Sequence, residues 1–163
     1  MNPKKILIAV DASENAARAV DYVAQLLADS PKFEVTVLYI ERPPNRDFFP
    51  SDEEWRAAGV AQAERIRLFL DESRAKILAS GLPESAVAIA YVPHCQSPVG
   101  AASEFCSLGT SIARDILQYQ QSGDFGTLVI GRRGVSRAEE FLFGSVTTKV
   151  THLAKDCTVW VVQ

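Results

Sequence analysis

The feature that most constrains the fold is a short, unbroken apolar run, Ile6-Leu7-Ile8-Ala9-Val10, that stops abruptly at Asp11-Ala12-Ser13. A strand with one wet face alternates apolar and polar residues. A strand without that alternation needs cover on both faces, as in the interior of a parallel sheet. Runs of similar character recur at residues 35–40, 87–92, 127–130 and 158–162. The stretches between them have helical spacing. After Ser13, a residue suited to capping, Ala16, Ala17, Val20, Val23, Ala24 and Leu27 fall on one face, with Arg18, Asp21 and Gln25 opposite. A long helix is predicted from Asp52 to Gly81, with Ile66, Leu70 and Ile77 in its buried stripe and Pro83 just beyond. Ile112, Ala113, Ile116 and Leu117 mark another helix, and residues 146–154 a last one, with Val146, Val150 and Leu153 at helical spacing. Strands separated by helices imply βαβ units. The expectation is an α/β fold: an open five-stranded parallel sheet with helices on both faces, Rossmann-like, in a single domain over 1–163. Residues 93–108 show no period and read as an irregular insertion.

Composition narrows the partners. With 163 residues and 47% hydrophobic content, the chain has enough apolar surface for a full core. A net charge of −3 gives no footprint for nucleic acid or an anionic membrane. No apolar run is long enough to span a bilayer, and the apolar segment near Met1 is too short for a signal-peptide core. A cytoplasmic location is expected. Three cysteines, Cys95, Cys106 and Cys157, are too few for a disulfide framework and suggest reduced thiols.

The chemistry concentrates after the fourth run. There the sequence reads Gly131-Arg132-Arg133-Gly134, then nine residues, then Gly144-Ser145, at the predicted start of the last helix. Glycine lets a ligand approach the backbone closely, and a helix N-terminus offers unpaired N–H groups and a favourable dipole to an anion. Ser145 adds a hydroxyl, and Arg132, Arg133 and Arg137 add positive charge nearby. This is a phosphate cradle built mainly of backbone. Taken singly, each glycine is equally compatible with a plain turn, and Ser145 with a plain cap. Other phosphate signatures are absent. No Gly-Lys-Ser/Thr triplet occurs, and no Gly-x-Gly-x-x-Gly follows the first strand.

The pattern of Gly, two residues, Gly, nine residues, Gly, Ser resembles the ATP-binding signature of the universal stress protein family. The opening from Ile6 to Glu14 and the closing Thr158-Val159-Trp160-Val161-Val162 are similar to that family's first and last strands. The insertion at 93–108 departs from it. The resemblance implies ATP as ligand, with Mg2+. It places Ala9 and Val10 by the base, and Asp11 by the adenosine and as a metal ligand. Ile40 would contact adenine, and Ile130 and Gly131 would border the ribose. Gly134, Gly144, Ser145 and Val146 would hold the phosphates. It also implies a homodimer through the fifth strand, Thr158, Val159, Trp160, Val161 and Val162. From the residues alone, Asp11 is also readable as a strand-end turn and Ile40 as core.

The function expected is an ATP-binding stress-response or signalling module. The alternatives are a slow metal-dependent ATP hydrolase and a nucleotide-free dimeric interaction module of the same fold. No general base stands out beside the cradle, so at most weak ATP hydrolysis is expected. His94, Cys95 and Cys106 are too few for a structural zinc set and suit small buried groups better. Phe48, Phe49 and Trp55 suggest packing under the loop after the second strand, and His152 a surface position.

Overall fold

The computed structural model describes residues 1–100, 106–132 and 144–163. Within them the elements alternate: β1 (Asn2–Val10), α1 (Glu14–Leu26), β2 (Glu34–Ile40), α2 (Asp52–Ala79), β3 (Val87–Val92), α3 (Ile112–Ser122), β4 (Phe125–Gly131), α4 (Ser145–Leu153) and β5 (Thr158–Val162). The strands form one parallel sheet in the order β3-β2-β1-β4-β5. From β1 the chain steps outward through β2 to β3, then returns to the other side of β1 for β4 and β5. The strand order therefore reverses between β1 and β4.

The unbroken apolar runs have the physical cause expected of them: both faces are covered. Successive side chains of one strand enter opposite layers. Ile6, Ile8 and Val10 of β1 join Val20, Val23, Ile66 and Leu70 under α1 and α2. Leu7 points the other way and joins Leu128, Ile116, Leu117 and Val150 under α3 and α4. Leu7 and Ile8 are both fully buried, which alternation with polar residues would forbid.

Local signals set the helix ends. Ser13 Oγ accepts the Ala16 N–H at 3.2 Å and starts α1. Ser51 does the same for Glu54 at 3.2 Å, and Asp52, Glu53 and Glu54 occupy the first turn of α2, where their charge suits the helix dipole. Gly81 follows α2 at φ +102°, a conformation that costs any other residue a clash.

Three expectations need correction. Cys95 and Cys106 form a disulfide, with Cα atoms 5.0 Å apart, and only Cys157 is a free thiol. A cysteine count argues about frameworks; it does not see that the chain folds back so that His94 and Ser107 pair as a short parallel bridge beside the two sulfurs. Phe48 does not pack under the loop: it is 83% exposed, while Trp55 is held by its indole N–H donating to the Pro44 carbonyl at 2.8 Å. β1 begins at Asn2, four residues before the apolar run, because Asn2 pairs with Phe125 across a register shift and Lys5 with Glu34, in spite of their polarity. Among the described residues no helix is long and apolar enough to cross a membrane.

Candidate functional site

The carboxyl ends of β1 and β4 stay paired up to Ala9 and Ile130, but the helices that follow them, α1 and α4, pack on opposite faces of the sheet, and a cleft of ≈ 280 Å³ opens where the strand order reverses. In open α/β sheets this is the crevice that the topology leaves for a ligand. Ala9, Val10 and Asp11 form its floor from β1. Ile40 enters from β2, Ile130 and Gly131 from β4, and Gly144, Ser145 and Val146 from the start of α4. The fold thus brings together nine of the ten residues singled out from sequence. The tenth, Gly134, lies outside the described residues, as do Arg133 and Arg137. Arg132 is half-buried, and its backbone N–H donates to the Val162 carbonyl at 2.6 Å, which ties the exit of β4 to β5.

Asp11 has two jobs that do not compete. Its Oδ1 accepts the Ser13 N–H at 3.1 Å, which shapes the turn into α1, and its carboxylate stays exposed on the cleft wall. Ile40 is likewise both core and site: it is 5% exposed and still lines the cleft. Gly144, the residue before α4, sits at φ −54° and ψ 152°. Any residue adopts that backbone, so a need for positive φ is not the reason for glycine here. Its effect is the absence of a side chain: no side-chain cap covers the N-terminus of α4 among the described residues. Capping groups normally satisfy such N–H donors, and without one they are left for water or a ligand. The helix carries no acidic residue in its first turn that would oppose an anion.

Gly131 matters for a different reason. A Cβ added there would lie 2.5 Å from the Asn15 carbonyl oxygen, so β4 and the start of α1 meet backbone to backbone beside the cleft. Gly131→Ala is expected to destabilise the protein by about 1–3 kcal/mol, the usual cost of forcing atoms into a packed site. A urea unfolding midpoint unchanged from wild type would refute that account.

Several cleft residues carried no signal in the sequence. Gln62, from α2, donates from Nε2 to the Arg42 carbonyl at 2.9 Å and to the Tyr39 hydroxyl at 3.4 Å. A glutamine on a largely polar helix has no pattern to mark it. Tyr39, Ile112 and Ile116 also line the cleft, although periodicity assigns them only to the core. Burial pushes the Tyr39 phenol above its ordinary range, with the Gln62 hydrogen bond pulling the other way. Tyr39 therefore stays a neutral hydroxyl near pH 7. No group of three or more His, Cys, Asp or Glu is gathered for a metal among the described residues.

A parallel α/β sheet with a cleft at its switch point, bordered by a strand-end carboxylate and by the start of a helix, defines a class of small open-sheet α/β domains. The chain belongs to the universal stress protein family, whose sequence pattern matches residues 2–163. It is 27% identical over 159 residues to universal stress protein YxiE of Bacillus subtilis (strain 168), across 98% of both chains. Its fold is similar to that of a universal stress family protein from Burkholderia pseudomallei (TM-score 0.66, 18% identity, 98% and 95% of the two chains). It is also similar to a universal stress protein in complex with cAMP (TM-score 0.63, 20% identity, 99% and 97%). The universal stress protein from Archaeoglobus fulgidus in complex with dAMP shares the fold as well (TM-score 0.62, 17% identity, 99% and 98%).

Proposed function

We propose that the cleft binds ATP with Mg2+ and that the protein acts as a nucleotide-dependent stress-response or signalling module. The observation that carries this reading is the start of α4, which opens onto the cleft with glycine and serine and no side-chain cap. A phosphate chain is suited to accept from N–H groups at such a helix start, where the capping residue has no side chain of its own. The apolar surface between Ala9, Val10 and Ile40 suits a flat base, and the Gln62 amide and Tyr39 hydroxyl offer polar groups at its margin. The relatives in complex with cAMP and dAMP support an adenine nucleotide, since both ligands carry adenine and phosphate.

Asp11 is suited to be the one protein ligand of a magnesium ion held chiefly by phosphate oxygens. A small divalent cation with few protein ligands is the common arrangement in phosphate sites, and a lone exposed carboxylate fits it where a closed cage would not. When bound, the ion would neutralise charge on the phosphates, and Asp11 would be the residue to hold it. Calorimetric titration with ATP, ADP and AMP, each with and without magnesium, tests the reading, together with mass spectrometry of any nucleotide released from the purified protein. Absence of binding by all three nucleotides would reject it. Asp11→Asn is expected to weaken ATP binding roughly tenfold with magnesium and far less without it, because the substitution keeps the shape and removes the anion. Equal losses under both conditions would place Asp11 on the nucleoside or in the turn alone.

We also infer that the protein pairs with a second copy of itself through β5. This strand forms an edge of the sheet and its five residues carry no charge. Exposed edges of that kind are normally covered or paired.

A further inference from the structure

Residues 93–100 and 106–109, between β3 and α3, touch three of the elements that wall the cleft. The first contact is with the end of β2. Glu41, 4% exposed, accepts the His94 N–H on Oε2 at 2.7 Å and the Ser97 hydroxyl on Oε1 at 2.8 Å. Its neighbours Ile40 and Arg42 line the cleft. The second contact is with α2, where the Pro98 ring covers Gly59 so closely that a Cβ on Gly59 would collide with it. Gly59 lies one helical turn from Gln62, another lining residue. The third is with α3. The Ser107 hydroxyl donates to Asp115 Oδ2 at 2.6 Å, in the first turn of the helix that presents Ile112 and Ile116 to the cleft.

Among the described residues, the two segments of this connection are joined to each other around Cys95 and Ser107. Cys95 N–H donates to the Ser107 carbonyl and Ser107 N–H to the Pro93 carbonyl, each at 2.8 Å, and the Cys95–Cys106 disulfide closes the same point covalently. It links the segment fixed to β2 and α2 with the segment fixed to α3. Cys95 is exposed and Cys106 is half-buried, so an external thiolate can reach the bond from the Cys95 side.

We propose that Cys95 and Cys106 are a thiol–disulfide exchange site, and that the oxidised pair acts as a clamp between the elements that wall the cleft, β2 and α2 on the one hand and α3 on the other. The reductant is a dithiol. One of its thiolates attacks Cys95 Sγ, the Cys95–Cys106 bond breaks, and Cys106 leaves as a thiolate that takes up a proton. The second thiol of the reductant then attacks the sulfur of the first in the mixed disulfide and releases Cys95. Two electrons pass to the protein, and the dithiol becomes a disulfide. Reduction removes the covalent cross-link between these segments and leaves their hydrogen bonds and the apolar packing of Ile40 with Ile116 to hold the walls. Consequently the oxidised protein binds the cleft ligand more tightly, and by reciprocity the bound ligand shifts the thiol–disulfide equilibrium toward the disulfide. The coupling rests on the nucleotide reading of the cleft; the exchange chemistry does not.

The test compares native wild type before and after treatment with dithiothreitol. Alkylation and mass counting are expected to show two additional reactive thiols, located at Cys95 and Cys106, with Cys157→Ser giving the same increment. Hydrogen exchange is expected to rise on reduction in peptides that cover Ile40–Arg42 and Ile112–Ile116. The Kd for ATP is expected to weaken about fivefold or more, and Cys95→Ser with Cys106→Ser is expected to match the reduced protein. A pair that dithiothreitol leaves intact under native conditions overturns the exchange site. Unchanged wall exchange, or equal ATP affinity in the two states, overturns the clamp. If the oxidised protein binds no ATP, the nucleotide reading fails by itself, and the thiol count and hydrogen exchange still decide the exchange site and the clamp.

Discussion

Gly144→Asp is expected to raise the stability of the protein while abolishing most of its affinity for ATP. The residue before α4 occupies extended backbone at φ −54°, which aspartate adopts without strain, and the helix has no side-chain cap. A carboxylate there accepts a first-turn N–H and interacts favourably with the helix dipole, a gain of about 0.5–1 kcal/mol over glycine. The same carboxylate occupies the place proposed for phosphate and repels it. Loss of charge-assisted contacts of this kind corresponds to a fall of about tenfold to a hundredfold in affinity. Opposite signs make the pair of measurements informative. Thermal unfolding reports the first effect and calorimetry the second. A more stable variant that binds ATP normally would show that phosphate does not sit at the start of α4.

Val161→Pro is expected to convert a dimer into a monomer or an aggregate. The Arg132 N–H donates to the Val162 carbonyl, so the main-chain groups of Val162 face β4. By strand alternation those of Val161 face away from the sheet. Proline at 161 thus removes an outward donor and leaves the inward ladder to β4 largely in place. Val159 and Val161 pack toward α3 and α4, and Trp160 and Val162 toward α1, with all four only partly buried. Trp160 meets Tyr22 edge-on at 6.2 Å, so part of its surface is already engaged within the chain. Light scattering coupled to size exclusion decides the matter: a wild-type monomer, or a variant dimer of undiminished stability, would refute pairing through β5.

The sheet was legible in the sequence because its strands have helices on both faces, covering β1, β2 and β4 at their apolar runs and partly covering the edge strands β3 and β5. Its limits were less legible. Asn2, Pro3 and Lys4 belong to β1 through their main chain, and nothing in their side chains says so. The cleft was legible where chain geometry and chemistry coincide, as at Asp11 after β1 and Gly144-Ser145 before α4. It was not legible at Gln62 or Tyr39, whose place in the wall depends on how α2 lies across β2. The disulfide was hidden for a similar reason. Cys95 and Cys106 are separated by eleven positions, and only the fold-back that pairs His94 with Ser107 brings them together.

The position of β1 in the middle of the sheet has a consequence for biosynthesis. Its two neighbours are made at very different times: β2 starts at residue 34 and β4 at residue 125. During the interval one side of β1 has no partner, and a growing chain holds an apolar edge open to wrong pairing. Docking of β4 closes that seam last among the contacts of β1, and the cleft lies across the same seam. A nucleotide that binds there as proposed would recognise only chains in which the seam has closed. It would draw the population toward completed molecules by mass action, in proportion to its concentration, so cells rich in the ligand would accumulate the finished protein at the expense of stalled intermediates.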